Sequence, residues 1–556
     1  MNTTLTHRGE ARVSHRRRLV SSLRQLTRLH KSAWLLVLSS AILQVLVFPK
    51  PGLYYLSWVC LAPLIYAVLR AREADAAELL AEETFSYLAP ASVGQAFLLG
   101  WVCGTVVYLG SCYWVFSVMH YYGGLSRAVS AVLLLLFSLY VGLHQAVFAA
   151  LVAWAARARA GYSRRALFLA PFLWVAVELL RTYLVGFPWD LLGTTQVANT
   201  ALSRIATLTG VYGLSFEIAL VNAAFAAAFL VRPPRRRLML AATLATAVFL
   251  QLTQYIELDR LPVDSHALLV QQNVPIRESW QSAEYNGLLQ SLDAISTIPP
   301  GSAKVNLVVW PESPAPFFLN DDRFVSTISA IARRTNDFVV AGSLGVRPAA
   351  GGENLLYNSA ALVNPQGQIA ARYDKVHLVP FGEYIPLQRL LSFAQSLTRE
   401  VGTFARGSDR WPLDAGAAKL GVFICYESVF PGEVRQFADH GAQVFVNISN
   451  DGWFGNSGAP EQHLNVARMR AIENERWLLR ATNTGITASI DPFGRVVAQA
   501  PTGTRTTLLA PYSLRAETTF YTRYGDWFPC LCAIISLAGL LFRRRLGAHM
   551  TQPQPV

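Results

Sequence analysis

Cys425 ends a strand-like run, Lys419-Leu-Gly-Val-Phe-Ile-Cys425, and is followed by Tyr426-Glu427-Ser428 and then by Pro431, an allowed first-turn residue of a helix. A nucleophile on a strand-to-helix turn has its side chain presented outward with backbone N–H groups nearby. Glu312 closes a second such run, Val308-Val309-Trp310-Pro311-Glu312-Ser313, in which Pro311 ends the ladder and carries the carboxylate past the sheet edge. Lys375 stands in Tyr373-Asp374-Lys375-Val376-His377-Leu378-Val379-Pro380-Phe381-Gly382-Glu383-Tyr384, a loop that adds a second acid, Glu383. Each is bland alone: a cysteine at a strand end is most often a small buried residue, and a glutamate after a strand is most often surface charge. Together they supply what thiol-based acyl transfer needs, a base, a cation that lowers the thiol pKa, and the nucleophile. A backbone N–H after Cys425 would complete the donors for a tetrahedral oxyanion.

The remaining cysteines, Cys60, Cys103, Cys112, Cys530 and Cys532, lie in or beside apolar runs, so Cys425 is isolated and a disulfide framework is not expected. No metal-ligand spacing or phosphate loop stands out, and neither metal nor cofactor is expected.

The elements that would hold these residues are short Val- and Ile-rich runs at 266–274, 305–310, 338–346, 359–363, 420–425 and 444–448. Helix-length stretches such as 322–334 and 461–476 fall between them, so 264–510 reads as one α/β domain.

The rest of the chain is apolar. The protein is 53% hydrophobic and only 15% charged, with a mean hydropathy of +0.31, which places much of it in lipid. Seven apolar runs precede residue 257, at 33–48, 52–69, 95–119, 128–155, 166–184, 211–231 and 238–256, and another covers 527–542. A span needs about 17–25 residues, so the first and last runs are short. Pro49-Lys50-Pro51-Gly52 follows the first run in place of a small-residue cleavage site, so that run is read as a retained helix. The expected organisation is a basic cytoplasmic tail (1–32), a membrane domain of seven helices (33–256), the α/β domain, and a C-terminal transmembrane helix (527–542).

The net charge of +13 does not point to nucleic acid, because the arginines sit in the tail and in short clusters between apolar runs. With the tail cytoplasmic, alternate loops hold Arg70 and Arg72, then Arg157, Arg159, Arg164 and Arg165, then Arg232, Arg235, Arg236 and Arg237. The opposite loops are poor in basic residues, and Arg543, Arg544 and Arg545 follow the last run. That asymmetry puts the α/β domain outside the cytoplasm. Glu178 and Glu217 fall within apolar runs and Arg181 at an edge, where an interhelical ion pair is the expected arrangement.

The motifs around Glu312, Lys375 and Cys425 resemble those of the nitrilase or carbon–nitrogen hydrolase superfamily. So do Asn447-Ile-Ser-Asn450-Asp451-Gly-Trp453-Phe454, Arg468-Met-Arg470-Ala-Ile-Glu473, and Arg480-Ala-Thr482-Asn483-Thr484-Gly485. With the apolar runs on both sides, and with Phe187-Pro188-Trp189 in an outer loop, the chain is similar to the apolipoprotein N-acyltransferase family over nearly its whole length. The resemblance implies a multi-pass α-helical membrane bundle plus an extracytoplasmic α/β nitrilase-like (α-β-β-α) domain, in a bacterial inner membrane with that domain periplasmic. It implies Glu312 as general base, Lys375 as transition-state stabiliser, Cys425 as nucleophile and Glu383 as a second essential glutamate. Tyr426 and Glu427 would support the nucleophile, and Trp280 would sit near an acyl-chain cavity. The implied donor is a phospholipid such as phosphatidylethanolamine, and the implied acceptor is the N-terminal amine of a diacylated apolipoprotein. A tethered amidase using water, and a scaffold or transporter with a degenerate hydrolase domain, are the alternatives.

Overall fold

The computed structural model describes residues 28–74, 87–156, 162–231, 233–276, 280–297, 305–348, 354–384 and 404–541. Most of the basic tail, together with Arg157, Arg159, Arg232 and Arg543, Arg544 and Arg545, lies outside the described residues.

The N-terminal half is a bundle of α1 (Lys31–Val47), α2 (Ala62–Leu69), α3 (Val93–Ser111), α4 (Arg127–Val141), α5 (Leu143–Ala155), α6 (Tyr162–Leu180), α7 (Val211–Phe229) and α8 (Pro233–Leu252). Local chemistry sets several starts: Ser92 and Gln95 form a reciprocal capping box at α3, and Ser126 caps α4. Close helix contact comes from small residues. A Cβ on Gly100 or Gly104 would run into the backbone of Gln145 or Gly142, so α3 and α5 meet backbone to backbone. Among the described residues, five helical stretches are long and apolar enough to cross a membrane: Val93–Ser111, Arg127–Ala155, Arg164–Val185, Val211–Phe229 and Pro233–Tyr255. The apolar helices Lys31–Val47, Tyr54–Leu69 and Trp527–Leu541 are shorter.

The expected ion pair is not formed: among the described residues nothing joins Glu178 or Glu217 to Arg181. Glu178 Oε1 instead accepts the N–H of Leu192 at 2.9 Å, tying α6 to the loop that follows it. Arg181 donates to the Tyr108 hydroxyl. An unpaired backbone N–H in a dry interior outcompetes a distant side chain for the carboxylate.

The second half is built on two six-stranded sheets. The first holds β1 (Ser265–Gln271), β2 (Val305–Val309), β3 (Phe338–Pro348), β4 (Asn354–Val363) and β5 (Ile369–Asp374). The second holds β6 (Leu413–Ala415), β7 (Ala418–Ile424), β8 (Val444–Ser449), β9 (Leu478–Thr482), β10 (Ala488–Ile490) and β11 (Val496–Gln499). The final strand, β12 (Thr506–Tyr512), returns to the first sheet, whose order is β12-β1-β2-β3-β4-β5. The second runs β6-β7-β8-β9-β10-β11. In both, three central strands are parallel and their outer neighbours antiparallel.

The sheets pack face to face through one apolar layer that includes Leu269, Val309, Val340 and Leu362 of the first and Val422, Ile424, Val446 and Ile448 of the second. The outer face of the first sheet is covered by α9 (Ser282–Ser296) and α10 (Asp322–Thr335), which bury Leu288, Leu292, Phe324 and Ile328. α11 (Pro431–Asp439) and α12 (Ala459–Asn474) cover the second. α12 is buried on every side: Leu464, Ala467 and Ala471 join the sheet core, while Met469 and Ile472 pack with Val175, Val211 and Leu214 of the bundle. The chain then returns to the bundle as α13 (Trp527–Leu541), where Gly539 meets Leu169 of α6.

Candidate active site

Glu312, Lys375 and Cys425 each stand at or just beyond the C-terminal end of a strand, β2, β5 and β7. The face-to-face packing brings these ends together. Gly342 of β3 lies under the Glu312 turn, and a Cβ there would strike Pro311 O and Glu312 Cα, so only glycine lets β3 pass.

Lys375 is 1% exposed and sits between two acids, with Nζ 3.3 Å from Glu312 Oε1 and 2.9 Å from Glu383 Oε1. Burial pulls its pKa down, but Glu312 and Glu383 outweigh that and hold it well above the usual lysine value. Asn358 Nδ2 donates to both carboxylates, at 2.7 Å to Glu312 and 2.8 Å to Glu383. Glu312 Oε2 also accepts the N–H of Asn450 at 2.8 Å, and Glu383 Oε2 that of Val379 at 2.8 Å.

Cys425 lies within the electrostatic reach of Glu312 and Lys375, in a turn running Cys425–Val429. Its backbone is in the left-handed region, at φ +50°, which non-glycine residues adopt rarely. Burial holds the thiol well above its ordinary pKa, Glu312 adds to this, and Lys375 opposes it. Lys375 thus acts on the thiol in the expected direction, against the larger effect of desolvation.

Glu427 connects the two halves of the site. Its Oε2 accepts the N–H of Ile424 at 2.7 Å. Its Oε1 takes the N–H groups of Val376 and His377, at 2.8 and 3.1 Å, and the Tyr373 hydroxyl at 2.7 Å. One buried carboxylate therefore holds the cysteine turn to the lysine segment. Tyr426 donates its hydroxyl to Gly186 O at 3.1 Å and stacks on Phe187 and Trp189, so the residue after the cysteine is seated on the membrane bundle.

Trp280 precedes α9 and packs against the cluster containing Tyr285, Leu288 and Phe317 behind the first sheet. Phe317 itself is core, stacked on Phe324 at 4.9 Å. Trp453 and Phe454 meet Tyr122 and Trp114 of the bundle. Sequence reasoning missed Asn358. Its signal was the polar pair Asn358-Ser359 at the start of an apolar run, inside a strand that begins well before that run. Among the described residues no cluster of His, Cys, Asp and Glu could hold a metal ion.

A carbon-nitrogen hydrolase family model matches residues 267–518, and an apolipoprotein N-acyltransferase N-terminal domain model matches residues 40–224. A carbon-nitrogen hydrolase of known structure from Helicobacter pylori aligns with 45% of this chain and 89% of its own, at 20% identity and a TM-score of 0.34. The apolipoprotein N-acyltransferase of Methylococcus capsulatus is 34% identical over 82% of this chain and 89% of its own length. That of Geobacter metallireducens is 36% identical over 93% of this chain and 96% of its own length. Identity of that degree, running through the bundle and the α/β domain alike, means that the chain belongs to the apolipoprotein N-acyltransferase family.

Proposed function

We propose that this membrane acyltransferase takes an acyl chain from a phospholipid such as phosphatidylethanolamine onto Cys425 and passes it to the N-terminal amine of a diacylated apolipoprotein. The observation that carries this reading is the position of Lys375, buried between Glu312 and Glu383 beside Cys425. Glu383 is a second carboxylate partner for the lysine, so Glu312 can exchange a proton with substrate without leaving Lys375 unpaired. That is what a general base requires.

In the first half-reaction Glu312 removes the thiol proton as the sulfur attacks the ester carbonyl carbon. General-base removal of the proton suits a buried sulfur, because the thiolate then exists only while its charge moves onto the acyl group. The oxyanion is met by Lys375 and the Tyr426 N–H. Collapse breaks the ester C–O bond, the glycerol oxygen takes the proton from Glu312, and a thioester remains on Cys425. In the second half-reaction the acceptor amine attacks, Glu312 takes its proton, the C–S bond breaks and the thiol is restored as an amide forms. Tyr426 and Glu427 hold the nucleophile turn in place, and Trp280, packed with Tyr285 and Phe317, is the aromatic residue assigned to the acyl-chain side.

Both substrates are lipid-anchored, and drawing an acyl chain into water costs about 0.8 kcal/mol per CH₂. A catalytic domain fixed on a bundle avoids that cost. The arginine-rich loops on one side of the apolar runs support a bacterial inner-membrane location with the catalytic domain periplasmic.

The test is intact mass spectrometry of the full chain with phospholipid alone, followed by a diacylated lipopeptide with a free N-terminus. One hydroxylamine-sensitive acyl adduct on Cys425, discharged onto the lipopeptide as an amide, is expected. An adduct elsewhere would refute the nucleophile, and discharge as free fatty acid would make the protein a hydrolase.

A further inference from the structure

His463 lies in α12, fully buried, and the chemistry above makes no use of it. Its Nδ1 is 3.0 Å from Asp451 Oδ1. Its Nε2 faces the nucleophile turn, 3.1 Å from the backbone carbonyl oxygen of Cys425 and 2.8 Å from Ser428 Oγ. The ring is therefore held at both edges, by an acid on one and by the cysteine turn on the other.

The acid is itself fixed. Arg480 Nη2 donates to Asp451 Oδ2 at 2.8 Å, and Ser449 Oγ to Oδ1 at 2.7 Å. Burial alone would raise the Asp451 pKa, but Arg480 and His463 reverse this and keep the carboxylate ionised. Arg480 Nη2 also faces His463 Nδ1, at 3.1 Å, so the acid and its arginine together fix that edge of the ring. The Nε2 edge is left to serve the turn. It lies within hydrogen-bond distance of both the Cys425 carbonyl and the Ser428 hydroxyl.

A trans peptide is a rigid plane in which the C=O of one residue and the N–H of the next point in opposite directions. Anchoring the Cys425 carbonyl therefore fixes the direction of the Tyr426 N–H, the donor assigned above to the oxyanion. The anchoring bears on a residue that needs it, since Cys425 sits at φ +50°. Elsewhere on α12, Arg470 Nη1 reaches Ser428 O and Val429 O at 3.4 Å each, so the helix grips the turn at a second place.

We propose that His463, steered by Asp451 and seated against Cys425 O and Ser428 Oγ, is a positioning residue that aims the nucleophile turn for formation of the acyl-enzyme. This rests on the reading of Cys425 as nucleophile. The ring touches neither substrate nor sulfur. It acts through the turn, so its loss lowers the rate at saturation and leaves lipid affinity alone.

The experiment follows acyl-adduct formation on the full-length protein in detergent across a range of phosphatidylethanolamine concentrations. His463→Gln keeps a polar group near Nε2, whereas His463→Asn keeps one only near Nδ1. His463→Asn is expected to lower the saturating rate about a hundredfold, the scale of losing an oxyanion donor, with the half-saturating lipid concentration unchanged within about twofold. His463→Gln is expected to recover at least about tenfold of that loss. A residue that merely filled space would show no such preference for one edge of the ring. The proposal is overturned if His463→Asn acylates at the wild-type rate, if His463→Gln is as slow as His463→Asn, or if the loss lies in the half-saturating concentration. Should His463→Asn not fold, Ser428→Ala decides: a several-fold fall in saturating rate supports the proposal and an unchanged rate overturns it. Mapping the wild-type adduct separates the two readings. An adduct away from Cys425 sinks the nucleophile itself, whereas an adduct on Cys425 that is indifferent to His463 sinks only this inference.

Discussion

The two sheets of the catalytic domain have the same strand pattern but different surroundings. Each has three parallel strands at its centre, β1-β2-β3 in one and β7-β8-β9 in the other, with one antiparallel strand on one side and two on the other. Outside the first, α10 is amphipathic, with Phe324, Ile328 and Ile331 inward and Asp322, Arg323 and Ser326 in solvent. Outside the second, α12 is pressed between sheet and bundle and has no solvent face along most of its length. In the mechanism proposed above, the first sheet supplies the base and the cation, and the second supplies the nucleophile. The half that carries Cys425 is thus the half whose covering helix is pressed against the membrane domain, so the support of the proposed nucleophile is tied to the bundle.

The strongest way to break the comparison is to remove chemistry from one sheet and ask whether the other compensates. Cys425→Ala is expected to form no acyl adduct. Glu312→Gln and Lys375→Ala should each slow adduct formation by about 10²–10⁴ with the melting temperature near that of the wild type. Wild-type acylation rates in either variant would remove its residue from the mechanism.

A charge introduced behind each sheet should sharpen the contrast. Met469 is fully buried against the bundle, so Met469→Lys is expected to destabilise the protein by about 3 kcal/mol or more. Ser326→Lys on exposed α10 should stay within about 0.5 kcal/mol. Equal melting temperatures in detergent would show that α12 is not clamped.

A titration distinguishes the clamped side from the free one. Glu473 of α12 accepts the Val211 N–H of α7 at 2.9 Å and pairs with Arg470. Burial raises its pKa from 4.5 to about 7, with Arg470 pulling the other way. Between those values the folded chain holds a proton that the unfolded chain has lost, so this group's contribution to stability falls as pH rises from 4.5 to 7 and is level above. Glu473→Gln should flatten that slope, by on the order of 2 kcal/mol across the window. Unfolding curves of the two proteins that stay parallel between pH 4.5 and 7 would count against it.

The smallest effect belongs to the solvent side. Asp321 caps α10, accepting the Arg323 N–H at 2.9 Å, and Asp321→Ala should cost about 1 kcal/mol with no change in acylation. A slowed adduct in that variant would mean that the first sheet's outer helix is coupled to the site after all.

The three strand ends were legible because a proline after a hydrophobic run, or a helix start after one, announces where a side chain leaves the sheet. Pro311 and Pro431 did this for Glu312 and Cys425. What joins them was not legible. Asn358 looks like a flaw in an apolar run until Glu312, Glu383 and Lys375 surround it, and nothing local records that Glu427 serves Val376, His377 and Ile424 at once. α12 hid its role for a related reason: buried on two opposite faces, it lacks the one-sided apolar stripe by which a packed helix is recognised. The membrane acids misled in the other direction, since a carboxylate that bonds backbone, as Glu178 does, carries no mark of its partner in its spacing.

The wide separation of the site's partners along the chain has a consequence for the order of events during synthesis. Glu312 meets Asn450 across 138 residues, and Trp189 donates to Gln462 across 273. Loops of that size close slowly and late, because their entropy is lost before the contact rewards it. While the chain is still emerging, Cys425 stands apart from Glu312 and Lys375, and its turn is not yet anchored. On the proposed mechanism, reactivity arrives only when both sheets and the bundle have come together, so an unfinished chain among membrane lipids is chemically silent.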